Sequence, residues 1–221
     1  MHSYDEIFAI AAERQGGADA LRAKLTPSLA PQELETVPED RWLASFTKSI
    51  FQAGFSWKVI EAKWPGFEAA FHGFDLAKCA FMSEAEFDAL LSNTALVRNG
   101  VKLASVRDNA SFLLSLADQG GASKVLAHWP STEFVGLLDL LKTKGSRLGG
   151  TSGQYALRSQ GRDSFILSRD VVARLVAEGV VDKAPTSKRA LAQVQAAFNT
   201  WMDQSGRGLT EISRTLAMSI G

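Results

Sequence analysis

The chain of 221 residues contains one cysteine, three histidines and no surplus of charge, with 24 lysines and arginines against 24 aspartates and glutamates. Each scarcity excludes something. A lone thiol, Cys79, cannot form an internal disulfide and fits a reducing compartment. Zero formal charge excludes a uniformly basic surface, so any contact with a polyanion must come from local clusters of charge. No apolar run approaches the roughly 18–20 residues that cross a bilayer. Acids at Asp5 and Glu6 stand where a signal peptide carries positive charge. The expectation is a cytoplasmic protein with no membrane partner. Internal repeats and low-complexity stretches are absent, and alternating strand patterns nearly so. Ser164-Phe165-Ile166-Leu167 is the only short extended candidate.

What remains is helical spacing. The length allows a sizeable core in one or two domains. Residues 4–14, with Ile7, Phe8 and Ile10 among alanines, predict a short helix closed by Gly16-Gly17, and 18–24 a second. Leu25 to Asp40 is rich in Pro, Ser and Glu and reads as a surface arm, which divides the chain into an N-terminal appendage (1–40) and a main body (41–221). Trp42, Phe46, Ile50 and Phe51 line one helical face. A helix begins at Ser56-Trp57 and is expected to stop at Pro65-Gly66. Ser83 and Glu86 form a capping-box pattern. Further apolar stripes run through 101–117, 134–141, 191–201 and 209–216, with Gly145 and Gly206 as stops. The fold class is all-α.

The stretch Leu148–Leu175 carries chemistry. Gly149-Gly150-Thr151-Ser152-Gly153 is a glycine turn just after an apolar helix, and Gln154-Tyr155-Ala156-Leu157 continues into another. Such a turn offers unpaired N–H groups at a positive helix end, which suits a phosphate. It positions a nucleic-acid backbone without reading its sequence. Lys142, Lys144, Arg147, Arg158 and Arg162 bracket the turn as candidate phosphate partners. Further on, Asp170 opens an apolar segment. Either it favours a helix N-terminus capped by Ser168, or it is a functional acid. The order of leucine, glycine turn, helix and later aspartate resembles the helix-hairpin-helix DNA glycosylases. That resemblance implies a fold with a cleft between two helical lobes, a hairpin that grips DNA, and an aspartate that assists cleavage of the base–sugar bond.

A second resemblance narrows the first. Gln52-Ala53-Gly54-Phe55-Ser56-Trp57, then Phe67-Glu68-Ala69-Ala70-Phe71, Phe74-Asp75, Arg98-Asn99, Lys102 and Asn109-Ala110, is similar to the 3-methyladenine DNA glycosylase I family. The likeness covers about residues 42–116 and returns over 144–154. It implies excision of a damaged, alkylated purine from double-stranded DNA by base flipping. Trp57 would be the wall of the base pocket and Phe55 the plug left in the duplex, while Asp170 would stabilise the sugar cation or orient water. Gln52, Ser49, Phe51, Phe46 and Trp42 are further pocket candidates, with core packing the competing role for the aromatic ones. Arg147 and Gly149 through Gln154 would hold DNA. Gln154 stands where bifunctional relatives carry a lysine, so a glycosylase without lyase activity is expected.

Departures from the family are as informative. Ser49 replaces its purine-contacting glutamate. Its Cys/His zinc set is missing, since Cys79 is alone and His2, His72 and His128 lie in unrelated contexts. Its N-terminal Tyr-His and Glu-Trp-Gly strings are missing too. No cofactor, metal or protein partner is expected. The alternative these departures motivate is a DNA-binding protein of the same fold that has lost catalysis.

Overall fold

The computed structural model describes residues 1–220. Among them, fourteen α-helices follow in order: α1 Tyr4–Gln15, α2 Ala18–Arg22, α3 Pro31–Glu35, α4 Glu39–Gln52, α5 Trp57–Ala70, α6 Leu76–Ala80, α7 Glu84–Ser92, α8 Gly100–Leu114, α9 Ala122–His128, α10 Phe134–Lys144, α11 Thr151–Ser159, α12 Arg169–Ala177, α13 Lys188–Ser205 and α14 Leu209–Met218. No β-strand occurs among the described residues. None of these helices is long and apolar enough to cross a membrane.

The chain divides into two units: residues 1–29, 129–137 and 161–221 in one, 30–128 and 138–160 in the other. The sequence-based boundary after residue 40 therefore falls inside α4, and residues 1–29 group with the C-terminal helices.

In the first unit, α1 packs on α2, α13 and α14, and α12 packs on α14. Ile7, Ala11 and Leu21 are buried there. Ser3 caps α1 in a capping box with Glu6, and Gly16 ends it in the left-handed region at φ 87°, which glycine adopts without steric cost. The extended candidate is not a strand. Its Ser164 and Ile166 N–H groups donate to the hydroxyls of Thr210 and Ser213 on α14, at 3.0 and 3.1 Å. Helix side chains thus take the place of a neighbouring strand, and Phe165 packs between Phe134 and Phe198.

In the second unit, α4 lies at the centre, against α5, α8, α9 and α11. Two sequence expectations fail here. The arm from Leu25 to Asp40 contains α3, begun by Pro31 at the first turn and by Glu33 reaching back to the Ala30 N–H at 2.8 Å. Its Leu34 is buried, so an apolar contact far along the chain turns a linker composition into a helix. Pro65, expected to end α5, sits inside it. The missing hydrogen bond and ring clash of an interior proline cost roughly 3 kcal/mol. Continuing the helix offsets that by burying Phe67, whose ring stacks on Trp64 and Phe71 and meets Phe51 edge-on, at about 1.5–3 kcal/mol per large buried side chain. Gly66 permits the close approach, because a Cβ there would stand 2.7 Å from the Ala95 carbonyl.

Candidate nucleic-acid interface

The second unit brings together a helix–hairpin–helix and an aromatic loop. The C-terminal half of α10, the turn Gly145–Gly150 and α11 make the hairpin. Its backbone is held from within by Asn109 of α8, a fully buried residue. The Asn109 side chain donates Nδ2–H to the Ser146 carbonyl at 3.0 Å and accepts the Ser146 N–H at 2.7 Å. Arg147 then takes a left-handed φ of 61°, uncommon for a residue with a Cβ, which turns the hairpin and leaves its side chain in solvent. Gly150 follows at φ 60° and ψ −137°, a conformation open to glycine alone. No side-chain hydrogen bond from the N-cap residue caps the start of α11, and the first turn of a helix carries N–H groups without an intrahelical partner. Lys142, Lys144 and Arg147 are exposed beside it. Arg162, grouped with them from sequence, is different. It is buried in the first unit, where its guanidinium donates to the carbonyls of Trp129 and Asp163. It is a structural arginine, unable to reach a phosphate.

The aromatic loop leaves α4 at Ala53, turns at Gly54 with φ 90°, and enters α5 at Trp57. Trp57 is 55% exposed and Phe55 37%. An indole left this open forgoes a burial worth about 2 kcal/mol, so its place needs a reason other than folding. Across from it, Tyr155 of α11 is 37% exposed and meets the indole edge-on, the ring centroids 5.9 Å apart at 89°. The hairpin helix and the loop thus share one aromatic corner. Beneath the loop, the Lys102 ammonium donates to the Ile50 and Ala53 carbonyls at 2.7 and 2.5 Å and lies 4.7 Å from the Phe55 ring centroid. Burial, and after it the charge of Arg147, hold its pKa below the ordinary 10.5.

The remaining sequence candidates separate. Trp42, Phe46 and Phe51 are fully buried on α4, and Phe51 packs edge-on against Phe67. They present no ring to a ligand and serve the core, the competing role weighed from sequence. Ser49 faces α11, its hydroxyl donating to the Ser152 carbonyl at 2.6 Å. One turn earlier Ser45 does the same to Ala156 at 2.8 Å. The pair ties α4 to α11 at the position where the resemblance implied a glutamate. Gln52 is half-buried and reaches Glu61 at 3.4 Å, while Glu61 also pairs with Lys48 at 2.8 Å. Gly153 and Gln154 are buried, whereas Thr151 and Gly150 are exposed and Gly149 and Ser152 intermediate.

Asp170 belongs to the first unit, in the first turn of α12. Ser168 caps that helix by accepting the Val171 N–H, and the half-exposed Asp170 carboxylate lies 3.5 Å from the Arg169 guanidinium. Sequence reasoning passed over Tyr155, Lys102 and Asn109 as site residues. Lys102 and Asn109 were visible only as parts of the family pattern, and Tyr155 only as a helix-start residue.

These observations define an all-helical protein with a hairpin helix that starts without a side-chain cap, beside an exposed aromatic corner. Residues 37–134, a little under half of the chain and including the Trp57 loop but not Tyr155, match the model of the methyladenine glycosylase family. The DNA-3-methyladenine glycosylase of Haemophilus influenzae is 36% identical over 69 residues, 31% of this chain and 37% of the relative. DNA-3-methyladenine glycosylase 1 of Escherichia coli is 32% identical over 69 residues, again 31% of this chain and 37% of the relative. The chain thus matches little more than a third of the length of these curated relatives. Among solved structures, the 3-methyladenine DNA glycosylase I of Staphylococcus aureus superposes with a TM-score of 0.46 at 22% identity, over 62% of this chain and 79% of that one.

Proposed function

We propose that this protein is a monofunctional DNA glycosylase that hydrolyses the N-glycosidic bond of a damaged, alkylated purine in double-stranded DNA, acting in the cytoplasm. The observation that carries the reading is the Trp57–Tyr155 corner, exposed at the junction of a family-matched loop and a hairpin whose second helix starts without a side-chain cap. Backbone phosphates would sit on the α11 N–H groups and Arg147. A nucleotide leaves the stack at a cost of a few kcal/mol, least for a damaged base, and Phe55 fills the gap as an apolar wedge. The flipped base stacks against Trp57. If alkylated it is cationic, and an aromatic face attracts it by about 0.5–2 kcal/mol. Breaking the C1′–N bond then expels a neutral base and leaves positive charge on the sugar, which water captures at C1′ with loss of a proton. We assign to Asp170 the stabilisation of that charge, or the orientation of the water, on the chemistry of an accessible carboxylate. Gln154 carries no amine, so no Schiff base forms and the product is an intact abasic strand.

A second reading, a DNA-binding protein of the same fold without catalysis, is favoured by one observation: the Ser49 hydroxyl is spent on the Ser152 carbonyl, so nothing at that position recognises a purine. The two separate on duplex DNA treated with a methylating agent, incubated with protein and then heated in alkali. The glycosylase gives breaks only after alkali, with Trp57→Ala and Asp170→Asn each slower by about tenfold or more. DNA binding without base release, whatever the damage, leaves the second reading standing.

A further inference from the structure

Lys102 occupies an adverse place for a cation. It is the third residue of α8, behind the Asn99 cap, where unpaired helix N–H groups already carry positive partial charge. It is also only 7% exposed, and a buried ammonium is costly unless its donors are satisfied. What offsets both effects is its landing point. The Ile50 carbonyl belongs to the last turn of α4, the negative end of that helix, and the Ala53 carbonyl to the first residue beyond it. One ammonium therefore ties the end of α4 to the departing chain. Ala53 leaves the helix at ψ 100° and Gly54 turns at φ 90°, so the direction in which Phe55 and Trp57 are presented is set at the two bonds Lys102 makes. The same Nζ lies under the Phe55 ring, 4.7 Å from its centroid, with Phe51 at 5.7 Å on the core side.

We propose that Lys102 is the positioning residue of the aromatic loop: by bridging the Ile50 and Ala53 carbonyls beneath Phe55, it holds the plug in the shape that enters the duplex, and base extraction depends on it although it touches no base. The inference rests on the reading of Phe55 as the plug.

Lys102→Met keeps the stem and removes the ammonium, and three measurements test it. Amide hydrogen exchange of residues 53–57 in the free protein should accelerate about tenfold or more, with the interiors of α4 and α8 unchanged. Single-turnover base release from methylated duplex should fall about tenfold, with DNA affinity within about threefold of wild type. In a Phe55→Ala background the same substitution should cost less than about threefold, because the two residues act as one unit. Losses that multiply in the double variant, or unchanged exchange in the loop, overturn the proposal. Should Lys102→Met not fold, Lys102→Arg takes its place: restored donors should keep release within about threefold of wild type, and a larger loss with ordinary melting overturns the assignment. If the wild type releases no base at all, the glycosylase reading falls while the exchange measurement still decides whether Lys102 orders the loop.

Discussion

Ser49 shows how a single position changes meaning between sequence and structure. From sequence it is a missing glutamate, a gap in the chemistry. In the fold it is half of a serine pair, Ser45 and Ser49, whose hydroxyls donate to α11 carbonyls at 2.8 and 2.6 Å. Restoring the family acid is therefore expected to harm the protein. Ser49→Glu would remove a hydrogen bond and set a carboxylate against carbonyl oxygens at a buried position, destabilising by roughly 2–4 kcal/mol. Thermal melting checks this, and a variant that melts like wild type while gaining excision of alkylated purines would refute it. Trp57, by contrast, was singled out by the likeness of Gln-Ala-Gly-Phe-Ser-Trp to a family motif, and in the fold its indole is 55% exposed. The partner that makes it a corner, Tyr155, lies 98 positions further on, in a helix whose own pattern says nothing about the indole.

At the scale of the element, the hairpin rests on contacts too close for any side chain. A Cβ on Gly153 would stand 2.6 Å from the Leu148 carbonyl and 3.1 Å from Leu141 Cδ1. Gly153→Ala must therefore push α11 away from the turn, at a cost of about 1–3 kcal/mol. The N–H groups proposed to hold a phosphate would move with it, so DNA affinity should fall and its salt dependence flatten. Melting and binding at two salt concentrations test both. Unaltered binding would mean that the amide cluster is not the grip. The glycine turn itself was plain in the sequence, since the residues that build it are neighbours. Why it is stable was not. The Asn109 amide that clamps Ser146 from 37 positions away belongs to an unremarkable stretch of apolar spacing. Helix α5 makes the same point in reverse. Local rules end it at Pro65, and the burial of Phe67 carries it on to Ala70.

At the scale of the molecule, the first unit gathers the two ends of the chain. The His2 backbone N–H donates to Glu178 at 2.6 Å and its ring lies 2.9 Å from the same carboxylate. Arg174 approaches that carboxylate at 3.3 Å and donates to Ser219. The Trp201 indole N–H donates to the His2 carbonyl, and Tyr4 bonds Gln204 and Thr215. Burial pushes the Glu178 carboxyl up, and the His2 N–H and ring together with Arg174 more than offset it, leaving its pKa below the ordinary 4.5. A carboxyl depressed on folding contributes stability in full above its unfolded pKa and loses it as pH falls through the folded value. Glu178→Gln should thus lower melting at neutral pH, by roughly 2–4 kcal/mol for a broken buried pair. It should also flatten the acid side of the stability curve between about pH 5 and 3. An acid limb as steep as that of wild type would place the titrating group elsewhere.

Sequence alone determined the all-helical class, most helix positions, the glycine turn and the family likeness of the central segment, because all of these are written in residues a few places apart. The tertiary structure decided the rest: that Trp42, Phe46 and Phe51 are core, that Arg162 is buried, that residues 1–29 group with the C-terminal helices, and that Lys102 sits under the aromatic loop. Helical periodicity records which face of a segment is apolar. It does not record which distant carbonyl an ammonium will find, and that choice belongs to packing alone.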